Sequence, residues 1–143
     1  MEQGSLWVGP DDEFVVYTDG GARGNPGPAA IGVSIQRPNG DEVDAISEAI
    51  GETTNNVAEY TAVICGLKRA AELGGRLVTV RSDSMLLVEQ LNGRYKVKAP
   101  HLRVLHADAQ ASARAFDRCT FVHVRRERNA RADELVNQAL DPA

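Results

Sequence analysis

Four carboxylates in the sequence would suit metal chemistry if the fold brought them together. They are Asp19, Glu59, Asp83 and Asp133. Carboxylates crowded in one cleft raise one another's pKa and repel, so they are stable together only when a cation is shared among them. Oxygen ligands without His or Cys favour Mg²⁺ or Mn²⁺ over Zn²⁺. Two such ions about 3.5–4 Å apart can activate a water and stabilise the leaving oxygen of a phosphodiester.

Each acid also has an ordinary structural explanation. Asp19 could be a turn residue in a Gly-rich hairpin, and Asp133 suits the positive end of a helix dipole. Asn56 could cap a helix with Glu59 in a capping box, and Asp83 could cap the helix that follows it. Capping does not require the acids to converge, so their predicted placement decides between the two explanations.

The predicted elements place the four acids at one edge of a sheet. β-branched and alternating segments predict five strands, over residues 13–19, 29–36, 42–50, 76–83 and 119–124. Helical periodicity predicts four helices, over residues 56–73, 84–93, 101–116 and 129–140. This order predicts an α/β fold with a mixed sheet, helices on both faces and a fourth strand buried on both faces. The acids end the first and fourth strands and lie in the first turns of the first and last helices, where such sheets bind ligands.

The composition indicates one compact domain, because 43% of the 143 residues are apolar. We expect residues 13–143 to form this domain and residues 1–12 to be a loosely ordered arm that Trp7 docks. The longest apolar stretches are strand-sized, which argues against a membrane span or secretory signal and predicts a cytoplasmic protein. Cys65 and Cys119 lack the spacing of a metal site and are expected to be reduced packing residues.

The net charge of −4 is unevenly distributed along the chain. Residues 1–60 contain eleven Asp or Glu and two Arg, a balance of −9, whereas residues 61–143 contain fourteen Lys or Arg and nine Asp or Glu, a balance of +5. The basic residues include two clusters, Arg94, Lys96, Lys98 and Arg103, and Arg125, Arg126, Arg128 and Arg131. Either cluster could bind phosphates, and solvated charge on a helix face explains each of them equally well.

Four segments of the sequence resemble ribonuclease H type 1, a family of nucleases that cut the RNA strand of RNA/DNA hybrids. In chain order they read YTDGGARGNPGPAAIG, TTNNVAEYTAVICGL, VRSDSMLLVEQLNG and RNARADELVNQAL. The resemblance covers residues 14 to about 140, and it is specific because each segment contains its expected acid in the family's order. It implies a ribonuclease H-like fold, with strands 1–3 antiparallel and strands 4 and 5 parallel to strand 1.

The resemblance implies a catalytic role for the four acids. Asp19, Glu59, Asp83 and Asp133 match the family's metal-binding catalytic residues, with two Mg²⁺ or Mn²⁺ ions in the site. The implied reaction hydrolyses a phosphodiester of the RNA strand, leaving 5′-phosphate and 3′-hydroxyl ends. We expect low sequence specificity, because groove width and 2′-hydroxyls distinguish RNA from DNA without base readout.

A set of substrate-binding residues is also implied, around the first hairpin and the starts of two helices. It comprises Gly20, Asn25, Thr54, Asn55, Asn56 and Ser84. Asn25 and Thr54 match positions that hold a phosphate of the DNA strand, and Asn55 and Asn56 match a pair that enters the minor groove. The hairpin glycines would let the substrate backbone approach closely.

The sequence departs from the family pattern in two places. Many members have a His in the loop after the fifth strand, but here that loop reads VRRERN and has none. His123 precedes the loop and is expected to be a packed side chain, so Arg126 or Arg128 could instead hold the scissile phosphate or the leaving product. The second departure is the segment GRYKVKAPHLR, which is shorter than the basic handle of some members. Double-stranded RNA is therefore a further candidate substrate.

Three other functions fit parts of this pattern. A hybrid-binding module that does not cleave would not need four intact acids. An ATP-binding phosphotransferase of related fold would need two such domains. A junction resolvase or integrase shares the fold, but TNNVAEY and GNPG favour ribonuclease H. We expect a monomer, because no apolar surface stripe is left over.

Overall fold

A computed structural model describes residues 12–141 of the chain. The strands are β1 (Glu13–Ala22), β2 (Gly27–Gln36), β3 (Glu42–Thr53), β4 (Leu77–Ser82) and β5 (Arg118–His123). The helices are α1 (Asn55–Glu72), α2 (Met85–Leu91), α3 (Pro100–Ala113) and α4 (Ala130–Leu140), with a 3-10 turn at Arg126–Arg128. Apart from Asp12, the predicted N-terminal arm and its Trp7 lie outside the described residues. Among residues 12–141, no helix is both long and apolar enough to cross a membrane.

The five strands form one mixed sheet in the order β3-β2-β1-β4-β5. β1 pairs with β2 and β2 with β3 in antiparallel ladders, whereas β4 runs parallel to β1 and β5 runs parallel to β4. This arrangement confirms the predicted fold. The β1–β4 ladder ends at the pair Thr18 and Ser82, so that both strands stop pairing at the same edge.

β1 is longer than predicted, and Asp19 therefore lies within the strand rather than at its end. The β1–β2 ladder continues through Asp19 opposite Gly32, Gly20 opposite Ile31 and as far as Ala22. The Gly-rich segment was expected to be a turn, but glycine backbone forms ladder hydrogen bonds like that of any other residue except proline. The hairpin loop is consequently confined to residues 23–26.

Helices cover the two faces of the sheet unequally. Gly66 of α1 packs on Val16 and Val33, while α4 packs on the opposite face against Gly32, mainly over β1, β2 and β3. The prediction that β4 is buried on both faces is wrong. Its residues Val78, Val80 and Ser82 are buried, but the alternate residues are only half-buried because α4 packs mainly on the other strands.

Most predicted helix ends differ from the observed ones by one to three residues, and two of these differences have a clear structural cause. α1 begins one residue early because Thr54, rather than Asn56, is its N-cap, and the Thr54 hydroxyl accepts a hydrogen bond of 3.3 Å from the Val57 amide. Glu59 is thus the fifth helical residue and belongs to neither a capping box nor the first turn. α3 ends at Ala113 instead of residue 116, since Phe116 turns back into the core.

The two cysteines behave as predicted from their spacing. Cys65 and Cys119 are free and half-buried, and both pack against the hydrophobic core. Burial raises the pKa of the Cys119 thiol to about 11, so this thiol stays protonated at neutral pH.

Candidate active site

The sheet register brings Asp19 and Asp83 to the same edge. Each residue is the first beyond the last β1–β4 pair, which joins Thr18 to Ser82. Side chains alternate between the faces of a sheet. Thr18 and Ser82 are buried on one face, so the two aspartates follow on the opposite face, next to the start of α4.

Gly20 brings Glu59 to the same place. A Cβ atom at Gly20 would lie 2.3 Å from the carbonyl carbon and oxygen of Ala58 and 2.6 Å from the Glu59 nitrogen. The backbone of α1 therefore rests directly on β1, one residue after Asp19. Gly20 was expected to give clearance to the substrate, but its missing side chain makes room for α1.

Asp133 reaches the site from the first turn of α4. The residue before this helix, Asn129, is completely buried, and its Nδ2 donates hydrogen bonds to the Thr18 carbonyl at 2.9 Å and to Asp83 Oδ2 at 3.2 Å. Its Oδ1 is buried and has no hydrogen-bond partner among residues 12–141. Such an unpaired acceptor typically costs about 1–3 kcal/mol, so the side chain is held in place against a local penalty.

The pKa values of two acids in the site are raised by burial first and by neighbouring negative charge second. Burial, and then the charges of Asp83 and Asp133, raise the pKa of Asp19 to about 7, although the Gly20 amide opposes this by donating to its carboxylate at 3.0 Å. Burial likewise raises the pKa of Glu59 to about 7; Asp83 adds to the rise, whereas a 3.3 Å hydrogen bond from Ser84 opposes it. The acids thus interact with one another, as the prediction of convergence required.

The donor set of this site fits a hard divalent cation. All four candidate ligands are carboxylates, which Mg²⁺ and Mn²⁺ prefer, and a cation would offset the burial and the neighbouring charges that raise the pKa of Asp19. Within residues 12–141, no three carboxylate, His or Cys side chains are already close enough to form a completed metal site. The site therefore fits a hard cation by the chemistry of its ligands and not by a closed ligand shell.

A cleft of about 330 Å³ opens beside the acids. Asp19, Glu59 and Asp133 line it, while Asp83 lies outside the lining but interacts electrostatically with Asp19 and Glu59. The cations of the lining are Arg23 and Arg126. The cleft therefore combines acids that can hold metal with the Arg126 guanidinium, which can hold phosphate, whereas the Arg23 guanidinium is paired with Asp141.

The structure separates the two arginines predicted to assist from the loop. Arg126 lines the cleft with the acids, whereas Arg128 lines a different cavity of about 500 Å³ together with Val124, Arg125 and Glu127. His123 was expected to be packed, but it is exposed because β5 is an edge strand whose last residues are not covered by a helix.

Three of the predicted substrate-binding residues meet where the hairpin touches α1. The Asn25 Oδ1 accepts a hydrogen bond of 3.0 Å from the Asn55 amide, and the Asn55 Oδ1 accepts one of 2.8 Å from the Ala22 amide. Thr54 adjoins them as the cap of α1. Asn56 is exposed beside this group. These contacts fix the hairpin against the helix and leave the side-chain NH₂ groups of Asn25 and Asn55 as donors.

The remaining predicted residue, Ser84, links two parts of the site. Its hydroxyl caps α2 by accepting a hydrogen bond from the Leu87 amide and donates to Glu59 Oε1, both at 3.3 Å. Of Asp83 and Ser84, it is therefore Ser84 that caps α2.

Sequence reasoning missed two residues of the site. Asn129 is the first residue of the predicted last helix, but it lies just before α4 and its side chain makes no cap hydrogen bond. Arg23 lies in the hairpin and bridges to Asp141 at 2.7 Å and to Asn137 at 3.3 Å, beyond the reach of any local pattern. The Asn129–Thr18 and Arg23–Asn137 hydrogen bonds each join residues more than a hundred positions apart.

Comparisons with known proteins agree on the fold and on the kind of protein. A family model described as "Reverse transcriptase-like" matches residues 17–139. The bifunctional protein Rv2228c of Mycobacterium tuberculosis is 48% identical over 132 residues, which cover 92% of this chain and 36% of that protein. The chain thus spans about a third of the length of this mycobacterial relative.

Two solved structures extend the comparison. RNase H1 from the halophilic archaeon Halobacterium salinarum superposes with a TM-score of 0.89 at 41% identity, covering 92% of this chain and 99% of that chain. LC11-RNase H1, isolated from compost by a metagenomic approach and solved in complex with an RNA/DNA hybrid, gives a TM-score of 0.86 at 48% identity. That match covers 90% of this chain and 97% of the other.

Proposed function

The chain belongs to the ribonuclease H family, and from this premise we propose that it hydrolyses the RNA strand of RNA/DNA hybrids. The observation that carries the proposal is the register of the sheet. It sets Asp19 and Asp83 side by side, one residue beyond the last β1–β4 pair, with α1 and α4 adding Glu59 and Asp133. The complex of LC11-RNase H1 with an RNA/DNA hybrid supports the choice of substrate.

Asp19, Glu59, Asp83 and Asp133 are proposed to hold two Mg²⁺ or Mn²⁺ ions. When bound, these ions supply the activation of a water and the stabilisation of a leaving 3′-oxygen, which gives 5′-phosphate and 3′-hydroxyl ends. The protein contributes the fixed carboxylates. It also supplies hydrogen bonds that orient two of them, from Ser84 to Glu59 and from Asn129 to Asp83.

Substrate binding is proposed to involve the rim of the cleft. Asn25, Thr54, Asn55 and Asn56 present amide and hydroxyl groups at the junction of hairpin and α1, suited to phosphate and minor-groove contacts without base readout. Gly20 and Ser84 belong to the same set through the positions they give to Glu59. The exposed Lys96 and Lys98 before α3 offer additional charge for the hybrid backbone.

Arg126 is proposed to take part of the role that a loop His has in other members. It lines the cleft beside three of the acids, where a guanidinium can bind a scissile phosphate or product in bidentate fashion. It cannot act as a base, since it stays protonated at neutral pH. Arg128 faces a separate cavity and fits a weaker role in holding the duplex.

Further properties belong to the proposal. Double-stranded RNA is a second candidate substrate, because recognition rests on groove shape and 2′-hydroxyls. We propose a monomer working in the cytosol, with Cys65 and Cys119 reduced. The alternative function is a hybrid-binding module without cleavage, or a different nuclease on the same fold; four intact acids and the hairpin Asn25 weigh against both.

The experiment that tests the proposal is cleavage of an end-labelled RNA/DNA hybrid in Mg²⁺ or Mn²⁺, with double-stranded RNA and DNA run alongside. We expect endonucleolytic cleavage of the RNA strand and none of the DNA duplex. Asp83→Asn should abolish it while leaving the protein folded by circular dichroism. If the wild-type protein cuts no hybrid in either metal, the proposed function is wrong.

A further inference from the structure

We infer that Asn129 is a positioning residue whose buried amide orients the Asp83 carboxylate and fastens the start of α4 to the end of β1, beside Asp19. The inference rests on the proposed function, because it assigns Asn129 a role toward the acids of that site. Asn129 itself does not contact substrate or metal in this proposal.

Each contact of Asn129 leads to a different acid. Its Nδ2 donates to Asp83 Oδ2 at 3.2 Å and to the carbonyl of Thr18, the residue before Asp19, at 2.9 Å. Its backbone carbonyl accepts the amide of Asp133 at 3.2 Å, the first hydrogen bond of α4, which does not depend on the side chain at position 129. One residue therefore connects the end of β1, the end of β4 and the first turn of α4.

The chemistry of these contacts requires a primary amide. The Thr18 carbonyl and the ionised Asp83 carboxylate are both acceptors without hydrogens, so the NH₂ group must face them and the orientation of the amide is fixed. A single nitrogen with two hydrogens serves both acceptors at once. An Asp in this place would turn an acceptor toward two acceptors, and a Ser would offer only one hydrogen.

Helix capping does not explain Asn129. Thr54 and Ser84, which precede α1 and α2, each accept a hydrogen bond from an amide of the helix that follows. Asn129 makes no such bond to α4, and its buried Oδ1 has no partner within the described residues. Its side chain is directed away from its own helix and toward the ends of two strands.

The consequence is a fixed orientation for Asp83. With Oδ2 engaged by Asn129, the rotation of this carboxylate is restricted, and Oδ1 is left for a cation. Hydrogen bonds to ligating carboxylates typically change metal affinity or activity by about 10- to 100-fold when removed. We therefore expect Asn129 to affect metal binding and turnover rather than recognition of the hybrid.

The test compares Asn129→Ala, Asn129→Asp and Asn129→Ser with Ser47→Ala as a matched control. Ser47 also fastens α4 to the sheet, through a 2.6 Å hydrogen bond to the Leu135 carbonyl, but it contacts none of the acids. Mn²⁺ binding is measured by calorimetry without substrate, and kcat and KM are measured on hybrid in Mg²⁺.

Asn129→Ala should weaken Mn²⁺ binding and lower kcat by about 10- to 100-fold, with KM nearly unchanged. Asn129→Asp keeps the side-chain volume but replaces the donor with an acceptor, so its Mn²⁺ affinity and kcat should fall at least as far. The values for Asn129→Ser should lie between those of the wild type and Asn129→Ala. Ser47→Ala should keep wild-type values. Wild-type Mn²⁺ affinity and kcat in either Asn129→Ala or Asn129→Asp would overturn the inference, because the site would then bind metal and turn over without the amide donor of Asn129.

A measurement on the wild type keeps the inference testable if the variants do not fold. The side-chain NH₂ resonances of Asn129 should exchange slowly with solvent and shift on titration with Mg²⁺, with the same midpoint as the Asp83 amide. Rapid exchange, or no shift at saturation, would overturn the role. Failure of the wild type to cut hybrid would instead refute the proposed function, and the calorimetric and resonance results would still decide on Asn129.

Discussion

Asp19→Asn should stabilise the metal-free protein at pH 8 while removing its nuclease activity. Asp19 has a pKa raised to about 7 by burial and by neighbouring carboxylates, so at pH 8 the folded protein carries a charge in an unfavourable place. Asn is nearly isosteric, and its carbonyl oxygen can still accept the 3.0 Å hydrogen bond from the Gly20 amide. The substitution removes the charge and keeps the local geometry.

The sign of the effect follows from proton binding. A raised pKa means that the folded state retains the proton between about pH 4 and 7 while the unfolded state has lost it, so the free energy of unfolding falls as pH rises through this range. Below about pH 4 Asp19 is protonated in both the folded and the unfolded state, so the cost of its charge in the folded protein vanishes. Above about pH 7 the penalty is complete, and the advantage of Asp19→Asn should be greatest there.

The size of the effect has an upper limit set by the pKa. The difference between about 7 and the ordinary 3.8 corresponds to about 4 kcal/mol at about 1.4 kcal/mol per pKa unit. Asp19 keeps contact with solvent and shares its repulsion with three acids, so we expect about 1–3 kcal/mol in practice. For a chain of 143 residues this is a Tm increase of about 3–9 °C.

The assay is thermal and urea denaturation of both proteins in EDTA at pH 4, 6 and 8, followed by circular dichroism. The advantage of Asp19→Asn should be near zero at pH 4 and grow toward pH 8. Excess Mg²⁺ should reverse the order, because the wild type gains stability from the ion that it binds. An advantage that is absent at pH 8, or equal at all three pH values, would refute the electrostatic account of this site.

Two further predictions concern the contact of Gly20 with the backbone of α1 and the arginines of the loop after β5. Gly20→Ala should lower the free energy of unfolding by about 1–3 kcal/mol or more, because its Cβ would overlap the Ala58 backbone of α1. The matched control is Gly21→Ala, whose Cβ would lie 3.9 Å from Val136. In urea denaturation this control should unfold at nearly the wild-type midpoint. Arg126→Ala should lower kcat on hybrid by about 10-fold or more and alter product inhibition. Arg128→Ala should lower kcat only weakly. Equal turnover by the wild type and Arg126→Ala would exclude the proposed role of Arg126.

The sequence was sufficient to predict the sheet and the convergence of the acids. Strand periodicity and element order are local signals, and the common edge of a mixed sheet then brings Asp19 and Asp83 together without any further information. Helix ends were predicted less well, since Thr54 and Asn56 are both plausible caps and only tertiary contacts select one of them. The exposed His123 was missed for a similar reason, because periodicity does not show which strand lies at the edge of a sheet.

The supporting contacts of the site were beyond the reach of sequence reasoning. Gly20 was assigned to substrate clearance because a glycine pattern does not reveal which backbone approaches it. Asn129 was predicted only as the first residue of a helix, and the partners of its side chain, Thr18 and Asp83, lie 111 and 46 positions away. Such roles depend on register and on the packing of elements, which no local window contains.

These supporting contacts have a common physical reason. Burial first, and then the charges of neighbouring acids, raise the pKa of Asp19 and of Glu59. Each acid therefore carries an unfavourable charge in the metal-free protein, and the elements around it have to be joined by other contacts. The contact of α1 with Gly20 and the amide of Asn129 join these elements through uncharged groups, which do not neutralise the acids. A cationic side chain in the same place would stabilise the acids but compete with metal. Neutral anchors therefore preserve the negative charge that a divalent ion needs, at a cost in stability that the Asp19→Asn experiment measures.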